Sequence, residues 1–371
     1  MLSRIFMAWG VVGRTFGQWV APAITLALFL NLRLAVAFGM MLDHLFFGHK
    51  LRKAKVQRPI VIVGTPRSGT TFIHRYLTDE LEVGTGLQLF RGLYPSLTLQ
   101  IFIKPLIPFL ERFSPTRYHS KDAHDTGLTK VETDDSSIFL RFLDGIFFYC
   151  FLLSFDEQDH VDFVDPRKRD TSARDFAWIR RVWRANLAAT GGERVVAKMF
   201  TASLRLPELF KAFPDAAVLY TVRDPLSVMP STMSLVTTPL ENKFEFWSLP
   251  EEIRNRFLSR MYKGNMLLYK GFHDHLQAGV FDTSKVFVVD YNRMMADFDG
   301  MMEDLLPFLG ETMTDERRAM IKVTADKQRS RVSKHKYSLE RFGLDADVIR
   351  KECAFVYDDL MEKPSARASE G

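Results

Sequence analysis

Cysteine is nearly absent: Cys150 and Cys353 are the only two in 371 residues, far apart and without a histidine at metal-ligand spacing. This excludes a disulfide-stapled scaffold and a cysteine-based zinc module, and it fits a reducing compartment. A surplus of one charge is also missing. The 50 Lys and Arg exceed the 45 Asp and Glu by five, too few and too dispersed for a nucleic-acid partner, though compatible with an anionic ligand or a membrane surface. No internal repeat or low-complexity tract occurs, and only residues 362–371 have the composition of a disordered tail. What remains is 47% hydrophobic and 26% charged, ordinary for a packed globular chain of one large domain or two smaller ones.

Charge is scarcest at the start. Thr15 to Leu32 carry none, and beyond Arg33 apolar character resumes through Leu34–Leu42 and Leu45–Phe47, with Pro22 as an early interruption. The run of 18 uncharged residues sits at the lower limit for a bilayer span, and Arg33 falls where a longer span would be centred. It is too long for a signal peptide and lacks a clear small-residue cleavage site. Residues 1–50 therefore read as a hydrophobic helical arm with three arrangements open. It could lie in or re-enter a membrane interface, cross the membrane, or pack on its own domain or on a second copy in a homo-oligomer. Lys50, Arg52, Lys53, Lys55 and Arg58 follow closely and suit either an anionic leaflet or a solvated linker.

After the arm, short valine-rich runs alternate with helical patterns. Ile60–Val63, Val195–Met199, Ala217–Val222 and Val286–Asp290 read as buried strands. Helices are expected near 72–82, 172–188, 204–213, 225–236 and 251–276. This alternation predicts an α/β fold with a parallel sheet covered on both faces. Residues 86–163 interrupt it with an excess of large apolar side chains, including Phe147, Phe148, Tyr149 and Phe151. They read as core or cap helices, or as an apolar acceptor pocket or membrane-facing surface.

The chemistry-bearing segment is Gly64-Thr-Pro-Arg-Ser-Gly-Thr-Thr71, between the strand Ile60–Val63 and the helical pattern from Phe72. Two glycines with four residues between them permit a tight loop, and the helix that follows offers unpaired N–H groups and a dipole that favours an anion. A kinase or ATPase needs a lysine after the second glycine. Here Thr70 and Thr71 stand there, and the loop's cation is Arg67. A second anchor follows the strand Ala217–Val222, where Arg223-Asp-Pro225 leads to Ser231 eight residues beyond Arg223. Ligands of open α/β sheets collect at that carboxyl edge.

Together these segments resemble the sulfotransferases that use 3′-phosphoadenylyl sulfate (PAPS), in particular a bacterial-type group. Pro66-Arg-Ser-Gly-Thr-Thr-Phe72 is similar to their 5′-phosphosulfate loop, and Tyr220 to Ser231 to their 3′-phosphate motif. Further matches are Val196-Ala-Lys198, Phe213–Ala216, Asp290-Tyr291 leading to Leu306–Gly310, and His335–Leu344. The resemblance runs from about 59 to 360 and makes 51–361 a sulfotransferase domain, with 86–163 as a helical substrate-side insertion. It implies a P-loop NTPase-like three-layer sandwich, a central parallel sheet of about five strands flanked by helices, and sulfuryl transfer to a hydroxyl of a hydrophobic or lipid-like acceptor. Adenosine 3′,5′-bisphosphate (PAP) would be the product, and no metal would be required.

The resemblance assigns the donor to Arg67, Ser68, Gly69, Thr70, Thr71, Phe72, Arg223 and Ser231, with Arg331 in the basic run Arg329, Arg331, Lys334 and Lys336. Lys198 would lie near the transferred group, although Met199-Phe200 replace the small residue and proline usual after it. The base is expected in Lys130-Val-Glu132-Thr-Asp134-Asp135, with Glu132 first, then Asp135 and Asp134, and His124 as runner-up. Two alternatives stay open: a P-loop kinase or NTPase with Asp290 as magnesium ligand, and a non-catalytic scaffold with a nucleotide-binding fold at a membrane. The expected location is the cytoplasm, on the inner membrane face.

Overall fold

The valine-rich runs form one parallel sheet. In the computed structural model, which describes residues 2–113, 127–330 and 338–361, the strands are β1 (Ile60–Gly64), β2 (Val196–Lys198), β3 (Ala217–Val222) and β4 (Val286–Asp290). Their spatial order is β2-β1-β3-β4, every neighbouring pair parallel. The sheet thus has four strands among the described residues, where the resemblance implied about five. Every residue of β1 is buried because both sheet faces are covered. Ile60 and Ile62 pack with Leu219, Val289 and Met301 on one side. Val61 and Val63 pack with Val218, Tyr220 and Trp183 on the other. Truncating one such isoleucine to alanine would cost about 2–5 kcal/mol.

The register sets Gly64 opposite Thr221, so β1 and β3 end side by side. The chain leaves β1 toward β2 on one flank, and leaves β3 toward β4 on the other. Such a reversal opens a crevice at the carboxyl ends of the strands. After β1 comes α4 (Thr70–Arg75), continued by a wider turn, Tyr76–Glu80. The helices Ser172–Thr190, Leu206–Ala212 and Glu251–Gln277 lie close to their expected spans. Pro225–Phe244 runs past the expected end, through Pro230 and Pro239. In the insertion, short helices occupy Leu89–Leu93, Leu97–Ile103, Ile107–Phe113, Asp135–Phe142 and Ile146–Tyr149.

The arm consists of α1 (Leu2–Phe16), α2 (Val20–Phe46) and α3 (Gly48–Lys53). Ile5, Ala8 and Val11 of α1 pack into the cluster that holds Phe148 and Tyr149. Arg4 reaches the buried Asp144 at 3.1 Å. One flank of α2 is fixed to the domain. Asp43, buried, accepts from the Leu97 and Thr98 amides at 2.9 and 2.7 Å and so caps the 97–103 helix. Arg33 donates to the Arg141 carbonyl. By length and composition α2 could cross a membrane, although its described contacts lie along the domain.

Candidate active site

Glycine is required at both ends of the loop after β1. Gly64 has φ 127° and Gly69, at the start of α4, φ 92°. A Cβ on Gly64 would lie 2.3 Å from the Thr221 carbonyl oxygen, so the close ends of β1 and β3 leave no room for a side chain. Between them Arg67 adopts φ 68°, a left-handed conformation that costs an arginine about 1–3 kcal/mol. The strain is offset by fixed partners. Arg67 Nε donates to Ser231 Oγ at 2.9 Å, and Arg223 Nη1 donates to the Arg67 carbonyl at 3.0 Å. The two motifs read separately in the sequence form one cationic cluster at the crevice.

Arg223 is held from both sides. Its guanidinium lies 4.0 Å from the centre of the Tyr291 ring, and Tyr269 donates its hydroxyl to the Arg223 carbonyl at 2.8 Å. Asp224 caps the 225–244 helix by accepting from the Leu226 amide at 3.0 Å, and it also accepts from the Tyr357 hydroxyl at 2.7 Å. Ser68 turns inward. Its buried hydroxyl donates to the Thr65 carbonyl at 2.6 Å and lies 2.7 Å from Thr221 Oγ1, which fixes the loop on β3.

Lys198 ends β2 with its side chain buried, and Nζ donates to Thr71 Oγ1 at 3.1 Å. Burial lowers its pKa, the Glu132 charge opposes this, and Arg75 adds to the lowering. The acidic segment divides by residue. Glu132 faces the same cavity as Thr71, Arg75 and Lys198. Asp134 instead pins the end of β2, accepting from the Lys198 amide at 3.1 Å and from Trp183 Nε1 at 2.7 Å, and burial pushes its carboxyl up to about 7. Asp135, expected as an alternative base, does not line the cavity. Its two oxygens accept from the Thr201 hydroxyl at 2.6 Å and amide at 3.1 Å, because it opens the 135–142 helix with its side chain turned into the core.

The cavity has a volume of about 660 Å³ and two characters. Arg67, Gly69 to Phe72, Lys198, Glu132, Arg223 and Tyr291 form its polar part. Ile146, Phe147, Phe151, Leu235, Val236 and Met261 form an apolar wall. A second hollow of about 820 Å³ lies beside Arg58 and Arg194, at the amino ends of β1 and β2 and away from the loop.

The structure therefore gathers Arg67, Gly69, Thr70, Thr71, Phe72, Lys198, Glu132 and Arg223 around one cavity, with Ser231 behind Arg67. His124 and Arg331 lie outside the described residues, as do Lys334 and Lys336. Arg329 pairs with Asp299 and Asp326 at 2.6 and 3.0 Å and does not line the cavity. Asp290 caps the helix Tyr291–Ala296, accepting from the Asn292 amide at 2.6 Å. Among the described residues no cluster of three His, Cys, Asp or Glu side chains is placed to hold a metal ion. Sequence reasoning missed Arg75, Thr232, Asn265 and Gln328 in the wall. For Arg75 a signal existed: it lies four residues after Thr71, on the same face of α4.

Comparison with known proteins gives the family and the fold. The sequence matches the Sulfotransferase family over residues 59–315. Omega-hydroxy-beta-dihydromenaquinone-9 sulfotransferase Stf3 of Mycobacterium bovis (strain ATCC BAA-935 / AF2122/97) is 23% identical over 275 residues, 71% of this chain. The Mycobacterium tuberculosis (strain CDC 1551 / Oshkosh) protein of the same name gives the same values. The chain spans 66% of the length of these relatives. The fold is similar to that of sulfotransferase STF1 from Mycobacterium tuberculosis H37Rv, with a TM-score of 0.69 and 20% identity over 95% of this chain and 90% of that one. Sulfotransferase STF9 from Mycobacterium avium gives a TM-score of 0.65 and 18% identity over 87% and 82%. Because the family match covers more than half of the chain and includes the 64–71 loop, Glu132, Lys198, Arg223 and Ser231, this protein belongs to the sulfotransferase family.

Proposed function

We propose that the protein is a PAPS-dependent sulfotransferase that sulfonates a hydroxyl of a hydrophobic, lipid-like acceptor. The observation that carries the reading is the joining of the loop after β1 to the motif after β3, Arg67 to Ser231 at 2.9 Å and Arg223 to the Arg67 carbonyl at 3.0 Å. A donor with phosphate at both its 5′ and 3′ ends needs two adjacent anion sites, and a single nucleoside triphosphate site does not. In this reading the acceptor oxygen attacks sulfur, the bond from sulfur to the 5′-phosphate oxygen breaks, and the acceptor proton passes to Glu132. Arg67 and Lys198 offset the charge left on the departing PAP. The apolar wall of Phe147, Phe151 and Leu235 supports an apolar acceptor body. So does the name of the mycobacterial relatives, which states a menaquinone derivative. The hydrophobic arm supports work at a membrane, which the proposal sets on the cytoplasmic side.

Isothermal calorimetry with PAP tests the donor. Binding that is lost in Arg223→Ala supports the proposal, whereas ATP binding that requires magnesium and exceeds PAP binding would overturn it. Transfer of labelled sulfate from PAPS into a lipid extract then identifies the acceptor.

A further inference from the structure

The arm carries charge of one sign and hides its only acid. Eight of the 50 basic residues but one of the 45 acidic residues fall within the first 58 positions, so this segment has a net charge of +7 and the rest of the chain −2. That acid is Asp43, buried as the cap of the 97–103 helix. Arg33, the only other charged residue of α2, is drawn inward to the Arg141 carbonyl. The outward flank of α2 is consequently free of Asp, Glu, Lys and Arg along its 27 residues, ~40 Å of helix. Val20, Ile24, Leu28, Leu34, Phe38 and Leu45 on this flank are each more than half exposed.

The apolar surface continues onto the neighbouring 97–103 segment, where Ile101 and Phe102 are exposed. Cations stand at the end of α2, where Lys50, Arg52 and Lys53 are exposed on α3. An apolar helix flank edged by lysine and arginine complements the acyl boundary and the anionic headgroups of a leaflet. A second copy of the same face would bring its +7 against another +7.

We infer that the arm is a docking surface for an anionic lipid bilayer, on which α2 lies flat with its outward flank in the leaflet and α3 against the headgroups. Spanning is disfavoured by the fixed inner flank. A Cβ on Gly39 would lie 2.7 Å from Ser96 Oγ, and withdrawing α2 from the domain would strip Asp43 of both its amide partners. Docking also serves the site. The inner side of α1 packs with Phe148 and Tyr149, while Ile146, Phe147 and Phe151 of the same short segment line the acceptor wall. The arm, through α1, thus packs on the same short segment that supplies part of the acceptor wall. The inference rests on the membrane reading of the arm given above and not on the chemistry of the loop, so PAP binding and lipid binding fail separately.

Vesicle co-sedimentation of the full-length protein tests it, with pure phosphatidylcholine and with mixed phosphatidylcholine and phosphatidylglycerol. The protein should bind the mixed vesicles more tightly, with an affinity that falls as salt is raised. Leu28→Ser/Leu34→Ser/Phe38→Ser should weaken binding roughly tenfold or more on both vesicles. Lys50→Glu/Arg52→Glu/Lys53→Glu should remove the preference for phosphatidylglycerol. These positions are exposed, so circular dichroism and melting should match wild type. A serine variant that binds like wild type, or a stable dimer that ignores vesicles, overturns the inference. Orientation is read from Gln18→Cys and His49→Cys, since both natural cysteines are buried. Flat docking leaves both labelled by an impermeant maleimide added outside, and protection of one end alone means a span and overturns it.

Discussion

Arg67 Nε donates to Ser231 Oγ at 2.9 Å across 164 residues of chain. The bond ties the loop after β1 to the helix after β3. It holds a left-handed arginine in place at the point where donor charge is expected. Arg67→Ala should weaken PAP binding by about 10–100-fold, the loss of a charge-assisted hydrogen bond. Ser231→Ala should cost about tenfold. Calorimetry on the double variant should show a loss smaller than the sum of the single losses by about 0.5–3 kcal/mol. Strict additivity would mean that the two residues hold the ligand independently.

Glu132 and Asp135 separate by readout. Glu132→Gln should lower kcat by about 10²–10⁴-fold, the usual contribution of a general base, with PAP affinity unchanged. Asp135→Ala strands the Thr201 amide and hydroxyl in the core and should destabilise the fold by about 1–3 kcal/mol, seen as an earlier thermal transition. If Glu132→Gln keeps full turnover in steady-state kinetics, the base lies elsewhere.

His74 gives a pH signature. It is buried, Nε2 donates to the Val196 carbonyl at 2.9 Å, and burial, reinforced by the Lys198 charge, takes its pKa down to about 3. Below the ordinary value of 6.5 the unfolded chain takes up a proton that the folded protein refuses. Stability is therefore complete above pH 6.5 and is lost as pH falls toward 3, by about 1.4 kcal/mol per pH unit once below 6.5. Denaturation midpoints of wild type should drop on acidification from pH 7 to 5, and His74→Gln should lack about 2 kcal/mol of that drop. Equal slopes would show that His74 is protonated in the folded state.

Gly64→Ala should be costly where Gly191→Ala is not. A Cβ at Gly64 meets the Thr221 carbonyl oxygen at 2.3 Å, whereas Gly191, with φ 78°, has no atom within 4 Å of that position. Urea unfolding should show only about 1 kcal/mol of backbone strain at Gly191 and at least about twice that at Gly64, with loss of PAP binding. Similar losses at both positions would contradict the close approach of β1 and β3.

Much of the site was legible because its parts are local. A valine run, two glycines and a helix start are decided within about a dozen residues, and Arg223-Asp-Pro225 carries its own cap. The acidic segment was legible as a ranking with Glu132 first, and not as a division of roles. Three carboxylates fall within four positions, and the turn that opens the 135–142 helix sends Asp134 and Asp135 to Trp183 and Thr201 while leaving Glu132 in the wall. No periodicity of the sequence marks that turn. Arg75 was missed although it follows Thr71 by four residues, because a lone arginine on a short helix is ordinarily solvated and only the cavity shows what it meets.

The sequence alone determined the strand, loop and helix around Gly64–Thr71 and the scarcity of charge along the arm, since backbone freedom and side-chain polarity are properties of the residues themselves. Tertiary structure decided what each meets. Parallel register brought the end of β1 beside the end of β3 and so joined Arg67 to Ser231. Close packing at Gly39 and the capping role of Asp43 chose which flank of α2 faces the domain and which faces outward. Contacts between segments more than a hundred residues apart depend on how the whole sheet closes, which no stretch of sequence near either residue specifies.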